Sequence, residues 1–470
     1  MQHTALFHRF TSALSWNAFL YIAHRILSTV FVFVLYRAVP TATFSTWATV
    51  LSVIFLLLLW LDFGFRKSIA RYAPVFTAHR AFALFTRTVL IFQLGVLFLA
   101  APLFFYFLPS LFALIVRHEV PLSTSLRLIA TGLFITEGLV EILRLLYHAH
   151  FMNKPFNILA TTARILESAA SISLIFFWPG SPSGILVTIL TFKLLSSLLI
   201  IVVSLFMLPT LYKQARHDIQ GVLDPEPDHN LKPLWWGFVR HSFMMWLSNG
   251  IKSLSERNFI LPVLTYTLGL EQASVFKLAQ DSALFFERSI IKTLGTADTA
   301  LLAHVEEEAH GKVEGVLAFK KLTRQVAGLC IPLFGVLLFI WLSSETFFKD
   351  QGVFQIFLIL TGTYLLEVLV SPYERILEVR QRYILLGIAY VPYMIGLYLV
   401  LRGYTFIGLV SFVLVLQGVR LVSSGIMVGF VSYYYRLRFP ILFTAGWLAV
   451  AVGVAVGVWA LVHRALNVFH

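Results

Sequence analysis

The sequence predicts an all-α polytopic membrane protein. It is read as two six-helix repeats related by a pseudo-two-fold axis along the membrane normal, plus about one extra C-terminal helix, twelve to fourteen spans in all. Three observations predict this. The first is composition: of 470 residues, 59% are hydrophobic and only 13% charged, with a mean hydropathy of +0.83. Soluble proteins carry about 25% charged residues. That balance excludes a soluble enzyme, a secreted disulfide scaffold and a disordered chain. The second is a series of long, continuously apolar runs. The third is an internal repeat at a fixed offset.

A spanning helix needs about 20 apolar residues. Thirteen runs qualify, at 13–36, 44–64, 86–109, 124–146, 156–178, 184–210, 235–262, 273–292, 323–343, 352–373, 383–401, 404–432 and 439–463. They do not alternate with period two, so they are helices and not strands of a barrel. The first run is longer than a signal-peptide core and lacks a clean small-residue cleavage site, so it is read as the first span. Between the runs, 211–233 is the most polar linker. Residues 293–321 read as a cytoplasmic amphipathic helix, either a partner surface or a solvated extension of the eighth span.

Orientation follows from Lys and Arg. The net charge is +13, from 36 basic and 23 acidic residues. With the N-terminus in the cytoplasm, 21 basic residues fall at cytoplasmic span ends and 5 at outer ones. Basic residues collect on the cytoplasmic side, which fixes this orientation. The charge is thus topological, and no nucleic-acid partner is expected. Thirteen spans put the C-terminus outside.

Dividing at the central linker exposes the repeat. Thr131–Val140 (TGLFITEGLV) faces Thr361–Val370 (TGTYLLEVLV) at an offset of 230, with five of ten residues identical, Glu137 and Glu367 among them. The same offset pairs Ser12 with Ser242, Trp16 with Trp246 and Tyr36 with Tyr266. The domain reading is an N-terminal lobe at 1–212, a cytoplasmic linker at 213–233, a C-terminal lobe at 234–435 and an additional helix within 436–470. Both halves start on the cytoplasmic side. Two such repeats are a transporter architecture, with substrate sites near the midplane between them.

Charges inside the spans mark candidate function, because a charge at the bilayer centre costs about 2.5 kcal/mol or more. Beyond those counted at span ends, ten basic residues fall there: Arg25, Arg127, Arg164, Lys193, Arg240, Lys252, Arg257, Lys277, Arg288 and Arg420. Those near span ends, such as Arg127, Arg240 and Arg288, can snorkel to the interface. In the first span Asn17, Tyr21, Arg25 and Ser28 form one polar stripe at helical spacing. In the seventh, Asn249, Lys252 and Glu256 share a face, and Arg257 follows. In the eighth, Lys277 and Asp281 stand four apart. One reading is a cationic cavity for an anionic substrate, since guanidinium and ammonium groups bind phosphate. The other is that Lys252–Glu256 and Lys277–Asp281 neutralise one another. The in-span acids Glu137, Glu141, Glu167, Glu256, Asp281 and Glu367 carry a similar choice. They are proton- or Na+-coupling groups, or structural partners of the cations, as Glu167 would be for Arg164.

No Gly-rich phosphate loop, HExxH motif or Cys/His metal spacing occurs. Tyr147-His148-Ala149-His150 places its histidines at i,i+2, which does not converge on a helix. Cys330, the single cysteine, reads as a packed thiol. The chain is therefore expected to be no enzyme and to need no cofactor.

The pattern resembles the multidrug/oligosaccharidyl-lipid/polysaccharide (MOP) exporter superfamily, and within it the polysaccharide (O-antigen, Wzx-type) flippases. The resemblance rests on the second span ending in LDFGFRKSIARYAP, with Asp62, Gly64, Ser68 and Arg71 in the pattern D-x-G-x-x-x-S-x-x-R, on the six-plus-six repeat and on the in-span cations. It implies a V-shaped bundle with a cavity lined by spans 1, 2, 7 and 8, working by alternating access in the cell membrane. The implied substrate is a polyprenyl-diphosphate-linked saccharide, flipped from the cytoplasmic to the outer leaflet. Arg25, Lys252, Arg257 and Lys277 would hold the diphosphate, and Asn17, Tyr21 and Asn249 would line the cavity. Asp281, Glu256, Glu137 and Glu367 would tune charge or couple to H+ or Na+. Expected partners are the lipid-linked saccharide, membrane lipids, and polysaccharide polymerase or assembly proteins. The rivals are a cation-coupled drug exporter of the same superfamily, a lipid II flippase, and a non-transporting scaffold of a polysaccharide synthase. Arg25 without a nearby acid argues against the drug exporter.

Overall fold

The computed structural model describes residues 26–116, 122–149, 153–177, 181–219, 231–254, 257–294, 351–379, 382–403 and 408–435, with isolated positions at 24, between 324 and 339, and between 446 and 457. The described chain is helical, and falls into two compact units, Met1–Ser274 and Val275–His470.

The first unit holds α1 (Ile26–Ala38), α2 (Thr41–Trp60), α3 (Phe65–Ala78), α4 (Phe82–Val116), α5 (Thr124–Ala149), α6 (Asn153–Phe177), α7 (Pro182–Ile219), α8 (Lys232–Ser253) and α9 (Arg257–Leu268). Helix α10 (Leu270–Leu294) begins in the first unit and continues in the second. The second unit adds α11 (Gln351–Val379), α12 (Tyr383–Gly403) and α13 (Leu409–Tyr435).

Among the described residues, seven helices, α2, α4, α6, α7, α11, α12 and α13, are long and apolar enough to cross a membrane. Helix α5 has the length too, 26 residues or about 39 Å, but carries Arg127, Glu137, Glu141 and Arg144. The lipid-type surface is plain on α4, where Phe98, Leu99, Leu103, Tyr106 and Phe107 all point outward, each at least 60% exposed. A water-soluble fold would bury such a stripe.

The duplication is visible in the helix bounds. Adding 230 to α1, α2, α5 and α6 gives 256–268, 271–290, 354–379 and 383–407, against α9, α10, α11 and α12 at 257–268, 270–294, 351–379 and 383–403. Each half therefore repeats one series of apolar and polar segments.

Two predicted spans differ from the observed elements. The run 44–64 does not continue as one helix: α2 stops at Trp60 and α3 starts at Phe65. Phe63 (φ 48°) and Gly64 (φ 77°) are left-handed, and this ends the helix. The run 235–262 is divided into α8 and α9. Before the division, Ser253 Oγ donates to the Gly250 carbonyl at 2.6 Å, competing with the helical ladder. The polar Ser255, Glu256 and Arg257 follow. The expected helix at 293–321 lies outside the described residues beyond 294, and so do 220–230 of the expected 213–233 linker, whose residues 213–219 continue α7 and whose residues 232–233 begin α8; 436–445 and 458–470 also lie outside.

In the first unit, Phe65, Ile69 and Phe76 of α3, Phe85 of α4, Tyr147 of α5, Phe156 of α6 and Phe238 of α8 form one buried cluster. In the second, Tyr373 and Leu377 pack with Leu386, Ala389, Met427 and Val431.

Candidate functional site

Three polar constellations stand inside this apolar frame. The first is the turn between α2 and α3, which carries the D-x-G sequence. Asp62 is buried, and its Oδ1 accepts the Gly64 N–H at 2.7 Å. Ser68 Oγ donates to the Gly64 carbonyl at 3.1 Å. Arg66 Nε lies 3.2 Å from Asp62 Oδ2 and 3.4 Å from Glu141 Oε1, tying the turn to α5. The turn sits directly on α8. A Cβ on Gly64 would lie 2.1 Å from the Ser242 carbonyl oxygen and 2.8 Å from the Trp246 nitrogen, so only glycine fits. Trp246 Nε1 donates to the Trp60 carbonyl at 2.7 Å, satisfying a group at the open end of α2. Asp62, Gly64 and Ser68 of the motif thus build this seat.

The second constellation joins α5, α6 and α7. Arg164 of α6 donates from Nη2 to Glu137 Oε1 at 2.6 Å and from Nη1 to Glu167 Oε2 at 2.7 Å. Ser197 Oγ of α7 donates to Glu137 Oε1 at 2.8 Å. Lys193, one turn before Ser197, brings Nζ within 3.5 Å of Glu137 and 3.7 Å of Glu167. It also lies 5.9 Å from the centre of the Phe55 ring on α2. Two cations face two carboxylates, and the cluster is neutral. That is how membrane interiors tolerate charge.

The third is in the second unit. Glu367 of α11 pairs with Arg420 of α13, and the Arg420 guanidinium lies over the Tyr364 ring at 5.5 Å. Gln280 of α10 donates to Tyr364 Oη at 3.4 Å. Also on α10, Lys277 Nζ donates to Asp281 Oδ1 at 2.9 Å. The second and third clusters are repeat-related. Glu137 and Glu367 differ by 230, and Lys193 plus 230 falls three residues, about one turn, from Arg420. Arg164 and Glu167 correspond to Met394 and Leu397, so the first unit carries an additional ion pair.

The sequence-selected residues divide accordingly. Glu137 and Glu367 each meet a cation from another helix, and Lys277 meets Asp281. Asn249 is buried on α8. Lys252 and Arg257 are helical positions at the facing ends of α8 and α9, and their side chains lie outside the described residues, as do Asn17, Tyr21, Arg25 and Glu256 entirely. Lys193 and Arg420 as partners of the two glutamates were not singled out beforehand. The offset of 230 held the signal, since it brings the two cations to within a turn of each other. Among the described residues, no group of three or more His, Cys, Asp or Glu could hold a metal ion.

No protein-family model matches the chain, and no curated protein matches it. Solved structures do match its fold across nearly its whole length. The eukaryotic MATE transporter AtDTX14 is 14% identical at a TM-score of 0.62, over 95% of this chain and 99% of that one. An outward-facing multidrug resistance MATE family transporter of the MOP superfamily is 15% identical at 0.60, over 90% and 95%. The lipid II flippase MurJ, in an inward closed conformation, is 12% identical at 0.59, over 96% and 92%. The chain has the fold that these transporters share.

Proposed function

We propose that a chain with this fold is a MOP-superfamily transporter that flips a polyprenyl-diphosphate-linked saccharide from the cytoplasmic to the outer leaflet of the cell membrane by alternating access. The observation that carries the reading is where the in-span charge is cancelled. The carboxylates Glu137, Glu167, Asp281 and Glu367 each sit against an in-span cation, namely Arg164, Lys193, Lys277 or Arg420. The spans that open the two halves carry Arg25, Lys252 and Arg257 against one acid, Glu256. The positive surplus of the membrane interior therefore falls on those two spans, and it suits a doubly charged diphosphate ester. Arg25, Lys252 and Arg257 hold that group. Lys277, grouped with them by sequence, is neutralised by Asp281. Glu137 and Glu367 tie helices together, and a coupling ion, H+ or Na+, acts elsewhere. Asn17, Tyr21 and Asn249 supply hydrogen bonds to the saccharide.

The MATE transporters that share the fold raise a second reading, a drug exporter taking organic cations. It needs a carboxylate for the cation, and the four acids above are already matched by cations. Native mass spectrometry of the purified protein, offered a polyprenyl-diphosphate saccharide and a lipophilic cation together, tests the choice. The expected result is retention of the diphosphate lipid, weakened about tenfold or more by Arg25→Ala or Arg257→Ala, the loss of one charge-assisted contact. Preferential retention of the cation would favour the exporter, and retention of neither a scaffold.

A further inference from the structure

Helices α8, α9 and the start of α10 up to Ser274 belong to the first unit, although they open the second half of the repeat. Two equivalent corners are therefore seen together. Where α1 turns into α2, the Val39 N–H donates to the Leu35 carbonyl at 3.1 Å and the Phe44 N–H to the Pro40 carbonyl at 3.0 Å. Where α9 turns into α10, the Gly269 N–H donates to the Thr265 carbonyl and the Ala273 N–H to the Gly269 carbonyl, both at 3.1 Å. These bonds correspond at an offset of 230 before the turn and 229 after it, so the second corner is one residue shorter, and the left-handed Gly269 (φ 89°) stands in it. The two corners face one another through serines. Ser45 Oγ donates to the Leu270 carbonyl at 2.6 Å and meets Ser274 Oγ. Ser274 Oγ has the Thr41 carbonyl at 3.4 Å across the joint and the Leu270 carbonyl at 3.0 Å in its own helix. Residues 41 and 45 thus meet 270 and 274 at the single offset of 229, and the contact is reciprocal, as at a two-fold axis. Both serines are 1% exposed. Other faces of α2 stay with its own half: the Phe44 ring lies 5.3 Å from Tyr36 and the Trp47 ring 5.9 Å from Phe31, both of α1.

We infer that this serine joint is a gate between the two halves of the repeat, which parts when substrate passes that end of α2. The inference rests on the transport reading above, since alternating access is what requires the halves to separate. Hydroxyls suit a contact that must open. A buried polar group left without a partner is costly, but a serine in a helix can turn back onto the carbonyl four residues earlier. Ser274 already has that carbonyl, of Leu270, within reach, and Thr46 donates to its own, of Ala42, at 2.8 Å. Ser45, once released, finds the Thr41 carbonyl in the same way. The joint therefore opens without orphaning a donor, whereas parting the helices at Glu137 would leave buried charges unmatched. At the other end of α2 the Gly64 turn rests on the backbone of α8, which is also of the second half. The halves are thus joined at both ends of a helix of 20 residues, about 30 Å long. With the N-terminus in the cytoplasm, as Lys and Arg indicate, the serine joint is the outer gate.

The test is the pair Ser45→Cys with Ser274→Cys in the full chain carrying Cys330→Ala, reconstituted in proteoliposomes. The contact between the two hydroxyls puts cysteines at these positions within disulfide reach, so mild oxidation should crosslink them inside one chain. Reduced, the variant should transfer a fluorescent polyprenyl-diphosphate saccharide between leaflets as the Cys330→Ala chain does. Oxidised, transfer should fall to that of empty liposomes, and a reductant should restore it, which a merely structural contact would not require. A second measurement needs no substrate. Ser45→Cys alone should react with a membrane-impermeant maleimide applied from outside, because the joint opens there, whereas Ser171→Cys, equally buried on α6, should not. Cysteines that fail to crosslink, crosslinked protein that still transfers, or Ser45→Cys that stays unlabelled would each overturn the proposal. Absence of transfer by the Cys330→Ala chain itself would count against the transport reading instead, and the maleimide reaction would still decide the gate.

Discussion

At the scale of residues, the cluster around Arg164 sets the strongest expectation. Removing one member of a buried ion pair leaves its partner uncompensated and costs about 3–5 kcal/mol. Glu137→Gln should therefore lower the thermal unfolding temperature in detergent substantially, because Arg164, Lys193 and Ser197 all converge on that carboxylate. The double change Arg164→Met with Glu167→Leu behaves differently. It removes a neutral pair and installs the residues that the other half already carries at 394 and 397. Replacing a buried pair by apolar groups is often neutral or stabilising, so this variant should melt within a few degrees of wild type. A double variant as unstable as Glu137→Gln would show that the pair does more than cancel charge. Part of this was legible in sequence. Glu167 with Arg164 is an i,i+3 pair on one helix, and the duplicated glutamates stood out. Their partners come from helices 27, 56 and 53 residues away, a distance that local spacing cannot bridge.

At the scale of elements, the turn of α2 into α3 is the sharpest case. Gly64 and Gly269 are both left-handed, at φ 77° and 89°. A Cβ costs about 1–2 kcal/mol in that conformation at either place. At Gly269 nothing lies within 4 Å, whereas at Gly64 the backbone of α8 is in the way. Gly64→Ala should then destabilise well beyond Gly269→Ala in the same melting assay. Equal effects would mean that α8 yields without cost. The apolar runs read from sequence have described helices wherever the structure covers them continuously, because a run of about 20 apolar residues has few alternatives in a bilayer. The boundaries were less legible. Leu61–Gly64 looks apolar enough to extend a span, and the left-handed Phe63 that ends it has no compositional signal. The amphipathic α3 was hidden because its buried face completes the core of other helices.

At the scale of the whole molecule, the repeat was readable because five identities in ten residues and the spacing of the runs agreed on one offset. The helix bounds now follow the same offset through α9 to α12. What the sequence could not show is which charges cancel, and that decides the functional reading. With most in-span acids engaged, the surplus positive charge of the first and seventh spans is the feature that separates a carrier of anionic lipids from a carrier of organic cations. The most direct measurement is a flipping assay with the purified chain in proteoliposomes, using a fluorescent polyprenyl-diphosphate saccharide and an impermeant quencher. The account predicts transfer between leaflets well above that of empty liposomes, lost in Arg25→Ala and Arg257→Ala and retained in Lys277→Ala. Absence of transfer by the wild-type protein, alongside transport of a lipophilic cation in the same vesicles, would contradict it.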